Sequence, residues 1–220
     1  MKNRIITRTI TSNLSKGDVI YMLLNKIISS IVEIVLICFI PFIWWLITAK
    51  KKESFFNWLG FKKIDNKKST IISVLMISLV FMIVSIFTLY ILKDIETATS
   101  EFKGLGISAL LPALIYAIFN TSLPEEILFR GFLLKRLSNK FGFEIANIIQ
   151  STIFGLLHGI MFLNLVGIFK TIIIILFTGV VAYAMGYINE KKAKGSIFPS
   201  WFIHAFSNIF ASIVAMFSLI

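Results

Sequence analysis

Apolar residues run through this chain in six long blocks, roughly 20–48, 70–92, 107–129, 145–163, 168–188 and 198–219, divided by short polar segments. A helix needs about 20 mainly apolar residues to cross the hydrocarbon core of a bilayer, and most of the blocks have that length. Only helices and closed barrels satisfy their backbone groups in lipid. The pattern therefore predicts an all-α fold, a polytopic transmembrane helical bundle of about six spans joined by short loops. No internal repeat and no low-complexity linker divides it. The first block is too long for the core of a signal peptide, and Ile47-Thr48-Ala49-Lys50 lacks a small-residue cleavage site, so this block should stay as a span.

Composition agrees: 57% of the residues are hydrophobic, including 22 Phe, against about 45–50% apolar in an average globular chain. The net charge of +11 is placed to orient the chain, not to bind nucleic acid. Lys50, Lys51, Lys52, Lys62, Lys63, Lys67 and Lys68 lie between the first two blocks, Lys135, Arg136 and Lys140 between the third and fourth, and Lys191, Lys192 and Lys194 between the last two. The intervening loops hold only Lys93 and Lys103, with Lys170 just inside a span. Basic loops stay in the cytoplasm. One conflict remains, because Lys2, Arg4, Arg8, Lys16 and Lys26 crowd a start that six spans would put outside. Either the later loops override this tail, or the first block does not simply cross. Trp44, Trp45, Trp58, Tyr90 and Trp201 stand near block ends, as interfacial rings do. The segment 54–63 mixes aromatics with lysines and is too short to span, which suggests an interfacial segment against anionic lipid. Cys38, the single cysteine, should pack as a small hydrophobe.

The candidate chemistry is confined to three places. Leu123-Pro124-Glu125-Glu126, Phe154 to His158, and His204 to Asn208 put ionisable groups inside apolar runs, where such groups are costly and mark function. At 100° per residue, Glu126 and Arg130 share a face with the acid toward the N-terminus, the favourable ion-pair order. Glu125 points elsewhere and is left unpaired, as suits a general base in a low-dielectric site. Pro124 removes the helical partner of the Asn120 carbonyl, so a kink or a fresh helix start is expected there, with Asn120, Thr121 and Ser122 resatisfying or capping the backbone. His204 and Asn208 share one face, and Phe154 lies where its ring can wall His158 from lipid. A histidine or Asn208 could polarise a carbonyl oxygen while Glu125 activates water.

A rival arrangement has Glu125, His158 and His204 as ligands of a zinc ion with an open fourth position. The helical His-Glu-x-x-His motif is absent, so Zn2+ is allowed but not demanded. Gly155 and Gly159 allow close helix approach, either for packing alone or to bring His158 near a polar partner. Glu33, inside the first block, either pairs with Lys26 or faces the cavity, and the sequence assigns it no role. Counted from the adjoining basic loops, Glu125 and His204 lie roughly 9 Å deep and His158 near 20 Å. That mismatch asks for a tilted fourth helix or one that begins inside the membrane.

Taken together, Glu-Glu-x-x-x-Arg (Glu125, Glu126, Arg130), Phe-x-x-x-His (Phe154, His158) and His-x-x-x-Asn (His204, Asn208), in that order on separate helices, resemble the type II CAAX prenyl endopeptidase and bacteriocin-processing membrane proteases, the CPBP or Abi family. Phe129-Arg130-Gly131 continues the likeness. The resemblance runs from about 107 to 220, and so divides the chain into 1–106, a tail with two spans and a basic interfacial loop, and 107–220, a CPBP-like catalytic core. It implies peptide-bond hydrolysis in the membrane, with Glu125, His158, His204 and Asn208 catalytic and Glu126, Arg130 and Phe154 supporting them. The family carries a metalloprotease label. Its partners would be a membrane-associated peptide or protein substrate and the lipid bilayer. Bacterial relatives are linked to bacteriocin immunity or maturation and to peptide signalling. The composition, rich in Lys, Ile, Asn and Phe, favours a bacterial plasma membrane, with the site opening toward the cytoplasm. The alternatives are a non-catalytic immunity or adaptor protein that keeps the fold, and a small proton-coupled transporter, against which the missing inverted repeat counts.

Overall fold

The computed structural model describes residues 15–64 and 67–220, so Lys2, Arg4 and Arg8 lie outside the described residues. Ser15 opens the first helix, α1 (Lys16–Thr48), with a capping box in which its side chain and that of Asp18 each accept from the other's backbone N–H. At about 1.5 Å per residue α1 measures roughly 50 Å, longer than a bilayer core, and it is long and apolar enough to cross one. Its far end turns into a five-residue helix, α2 (Phe55–Leu59), capped by Ser54 and closed by Gly60 at φ 101. The segment does not simply lie on the membrane face as expected. Phe56 points out, but Trp58 and Leu59 are buried in the protein, because a cluster of Ala49, Leu123, Ile127 and Ile197 offers them an apolar seat.

After α3 (Lys67–Ile91) the chain enters one long helical passage, α4 (Gly106–Phe141). Gly142 (φ 80) then turns it into a helix from Phe143 to Lys192 that folds back on itself at Gly167, where φ 76 and ψ 166 are not helical. We number its arms α5 (143–166) and α6 (168–192). A Cβ on Gly155 would come 2.5 Å from the Ile175 carbonyl oxygen and 3.2 Å from the Gly179 backbone, so the two arms pack antiparallel at glycine distance. The last helix is α7 (Phe198–Met216). Five helices are long and apolar enough to cross a membrane, and the fold-back in one of them yields six passes, as the apolar blocks predict. The described residues are helices and loops without strands.

Two helices are inner ones. In α4 and α7, 44% of the most apolar window is buried inside the protein, against 11–17% in the others. The inner pair carries Glu125, Glu126, Arg130, His204 and Asn208, so polar groups concentrate where lipid is excluded.

The depth mismatch disappears in this fold. Glu125 precedes Phe141 by sixteen residues and His158 follows Phe143 by fifteen, so both lie some 22–24 Å from the Gly142 turn at about 1.5 Å per residue. The lysines mislead as a surface marker, because Lys135 is only 12% exposed and bonds Glu190 and the Gly195 carbonyl at 2.7 Å each. The start of α7 is also sunk. Ala193, Ser196 and Ile197 are fully buried, and the loop is tied to the α2 segment by Ile197 N–H to the Gly60 carbonyl and the Ser196 hydroxyl to the Lys62 carbonyl.

Candidate active site

Proline 124 shapes the site without breaking the helix. The chain widens into π-helix at 116–122, returns to α at 123–126 and widens again at 127–134. Ser122 is helical and caps nothing, so the expected kink or restart is replaced by two wide turns. Their loosened carbonyls are met by side chains: the Ser122 hydroxyl donates to Ala117, Thr121 to Tyr116, and the Trp201 indole of α7 to Ile118. Wide turns of this kind are frequent at functional sites.

On the α-helical turn between them, Glu125 and Glu126 part company. Glu126 and Arg130 are both fully buried, and the guanidinium Nη1 bonds Glu126 Oε1 at 2.9 Å. The same Oε1 lies 3.0 Å from His204 Nδ1 on α7. A carboxylate only accepts, so Nδ1 carries the proton and Nε2 is turned the other way. His158 on α5 has the same polarity, its Nδ1 2.9 Å from the Phe154 carbonyl, which also only accepts. Both Nε2 atoms face Glu125, whose Oε2 stands 3.8 Å from each. That oxygen is shielded from solvent and makes no hydrogen bond to a protein group.

Phe154 is the common wall. Its ring stacks on His158 (centroids 4.3 Å), lies under the Arg130 guanidinium (4.5 Å), and meets His204 (6.0 Å) and Phe129 (5.0 Å) edge to face. Gly155 and Gly159 pack against α6, through Ile175, Thr171 and Gly179, and this contact seats α5 so that its adjoining face presents His158 to α4. Asn208 behaves differently from the histidines. Its amide donates to Thr121 at 2.8 Å and Ser122 at 3.2 Å, bracing the π-helical turn against α7.

Phe154, His158, His204 and Asn208 line a cavity of about 170 Å³ closed by Phe81, Ser85, Val181 and Met185 among others. That volume holds roughly five waters at about 30 Å³ each. A hydroxyl pair, Ser85 and Ser207 at 2.8 Å, ties α3 to α7 in its wall.

Glu33 and Asn120 take a partner that the sequence did not indicate, each other, and the Asn120 side chain does not cap the helix. Glu33 does not pair with Lys26, which is bound to Glu101 at 2.5 Å. It instead accepts from Asn120 Nδ2 at 2.8 Å. Both residues were visible as polar groups within apolar blocks, but nothing in their spacing linked α1 to α4.

A zinc ion suits the donor types here but not their spacing. Tetrahedral ligands at about 2.0–2.1 Å from the metal stand about 3.3 Å apart, and Glu125 Oε2 is 3.8 Å from both nitrogens. Among the described residues no group of three or more His, Cys, Asp or Glu is disposed to hold a metal ion.

Comparison with known proteins bears on the part of the chain that holds this site. Residues 107–210 match the family described as type II CAAX prenyl endopeptidase Rce1-like. No curated protein and no solved structure matches the chain at a significant level. Glu125, Glu126, Arg130, Phe154, His158, His204 and Asn208 all fall within the matched segment, so the similarity to the type II CAAX prenyl endopeptidase Rce1-like family takes in the whole candidate site.

Proposed function

We propose that the protein cleaves a peptide bond of a membrane-associated peptide with a water molecule activated by Glu125. The observation that carries this is the position of Glu125 Oε2, 3.8 Å from Nε2 of two histidines on two other helices. An oxygen atom at about 2.8 Å from both a carboxylate and an imidazole fits that separation. Glu125 takes a proton from this water as its oxygen attacks the carbonyl carbon. It then returns the proton to the leaving nitrogen, so that acid and amine products form and the carboxylate is restored.

The histidines have unequal supports. Behind His204 stands Glu126, which offsets the positive charge the ring carries when Nε2 is protonated, so His204 donates to the oxyanion that develops on the substrate. His158, backed only by a carbonyl, accepts a hydrogen bond from the water and orients it. Arg130, fully buried, fixes the Glu126 carboxylate, and Asn208 holds α7 against the π-helical turn.

An apolar groove of about 580 Å³ between α3 and α7, walled by Val74, Leu75, Trp201, Phe202 and Phe206, suits the hydrocarbon chain of a lipidated peptide. The setting we favour is a bacterial plasma membrane, in bacteriocin immunity or maturation or in peptide signalling. The test is the purified protein in liposomes with a farnesylated CAAX peptide, its products read by mass spectrometry. Cleavage by the wild type, lost in Glu125→Gln and His204→Ala, supports the proposal. An immunity phenotype that persists in Glu125→Gln would instead identify a non-catalytic adaptor.

A further inference from the structure

A hydroxyl inside a membrane helix commonly spends its hydrogen on the carbonyl one turn back, as Ser73, Thr171 and Ser212 do here. In the wall of the histidine cavity Thr88 donates to the Val84 carbonyl at 3.0 Å and Thr178 to that of Ile174 at 2.7 Å. Ser85 on α3 and Ser207 on α7 line the same cavity and behave differently: each meets the other, oxygen to oxygen at 2.8 Å. Two hydroxyls carry two hydrogens, and this contact uses one. Among the described residues the second hydrogen has no acceptor within bonding distance.

The other donors in that wall are committed. The amide of Asn208 gives its hydrogens to Thr121 and Ser122, and the histidine Nε2 atoms serve the attacking water and the oxyanion. Of the two serines Ser207 is the buried one, at 5% exposure, and Ser85 is the more open. A donor without a protein partner costs least where water or a ligand can reach it. Ser207 therefore donates to Ser85, and the spare hydrogen is that of Ser85, turned into the cavity.

The level of this donor is set by helix register. Thr70 bonds the Lys192 carbonyl and Ser85 meets Ser207, fifteen residues further along each segment, so α3 and α7 run parallel. Ser207 is three residues past His204, about 4.5 Å along the axis. Successive residues of an extended peptide are about 3.3 Å apart. The apolar groove lies on the other side of this level, since its walls Val74 and Leu75 precede Ser85 by ten residues or more on α3. We propose that the Ser85 hydroxyl, held by Ser207, is a specificity-determining donor to the substrate. It bonds a backbone carbonyl one or two residues from the scissile bond, on the side away from the lipidated residue. Such a bond selects an extended segment, because in a helix that carbonyl is spent on an N–H of its own chain. The proposal rests on the hydrolytic function above, and the two fail separately.

The test uses the full chain in liposomes and a set of farnesylated CAAX peptides, each with one thioamide in place of an amide other than the cleaved one. Sulfur is the weaker acceptor, so one thioamide within two residues of the cleaved bond should raise KM about fivefold, the worth of one hydrogen bond. Ser85→Ala should raise KM for the all-amide peptide by the same factor and abolish the thioamide penalty. Ser207→Ala removes the same tie between helices but keeps the Ser85 hydroxyl, so the penalty should survive in it. A penalty that persists in Ser85→Ala overturns the proposal, and so does a Ser85→Ala enzyme with wild-type KM. If Ser85→Ala does not fold, Ser85→Cys carries the same comparison, since a thiol is a weak donor. Cleavage with no penalty at any position ends the role of Ser85 and keeps the hydrolytic function. The dissociation constants of the same peptides from Glu125→Gln repeat the comparison without turnover. A penalty seen there, removed by adding Ser85→Ala, with no cleavage by the wild type, ends the hydrolytic function and keeps the role of Ser85.

Discussion

His204 and Glu126 meet through a 3.0 Å contact between Nδ1 and Oε1 in which neither side chain is more than 7% exposed. Because Arg130 bonds the same oxygen, one buried carboxylate both neutralises a guanidinium and fixes the orientation of an imidazole on another helix. Removing it strands two groups. Glu126→Gln is therefore expected to destabilise the fold by about 3–5 kcal/mol, the usual cost of breaking a buried ion pair, measured by thermal or denaturant unfolding in detergent. Adding Arg130→Met should recover part of the stability and none of the cleavage, since His204 stays unsupported.

Glu125→Gln should behave in the opposite way. The replaced Oε2 makes no hydrogen bond to protein, and the amide has nearly the same shape. Unfolding should thus shift by less than about 1 kcal/mol, while cleavage falls about 10²–10⁴-fold, the contribution of a general base. A fold that collapses in this variant would show that Glu125 serves the structure.

A strong zinc chelator should leave cleavage unchanged, because the spacing of Glu125, His158 and His204 suits a bridging oxygen and not a tetrahedral ion. Loss of cleavage on chelation, restored by added zinc, would mean that the three groups close by several tenths of an ångström around a metal.

The spans and the three motifs were legible because lipid imposes a coarse rule: apolar blocks of fixed length, with any ionisable group in them conspicuous. The Glu126–Arg130 pair followed from helical spacing alone. What the sequence hid were effects of packing. The wide turns around Pro124 arise because hydroxyls on the same helix and Trp201 on α7 satisfy the carbonyls left over, and the second of these contacts is 83 residues away. Lys135 read as a surface charge and is buried against Glu190, which shifted the inferred depth of Glu125. Glu33 was as conspicuous as Glu125, but its partner Asn120 is 87 residues distant.

The hairpin of α5 and α6 offers a test of packing separate from chemistry. Gly155→Ala would press a methyl group to 2.5 Å from the Ile175 carbonyl oxygen, where only backbone movement relieves it. A loss of about 1–3 kcal/mol is expected for such overpacking. Since α5 carries His158, cleavage should fall as well. Gly167→Ala meets no neighbour within 4 Å but must hold φ 76 with ψ 166, a strain of about 1–3 kcal/mol, and with the hairpin contact intact it should spare cleavage.

Orientation is the last matter that charge and fold decide jointly. α1 runs the full width of the bundle, its start joined to the α3–α4 connection by Lys26 and Glu101 and its end packed on α2. The basic segments 50–68, 135–140 and 191–194 then share one face, while Lys93 and Lys103 lie on the other with the beginning of α1. Holding the more basic face outside would work against the positive-inside rule at three connections, whereas the opposite choice leaves only the start of the chain in conflict. We therefore expect the α2 face in the cytoplasm. In a Cys38→Ala background, a membrane-impermeant maleimide applied to intact cells should label Lys103→Cys and leave Lys51→Cys and Lys191→Cys untouched until the membrane is opened. The reverse pattern would put the α2 face outside and the start of α1 in the cytoplasm, and would mean that the first charges of the chain outweigh all the later loops.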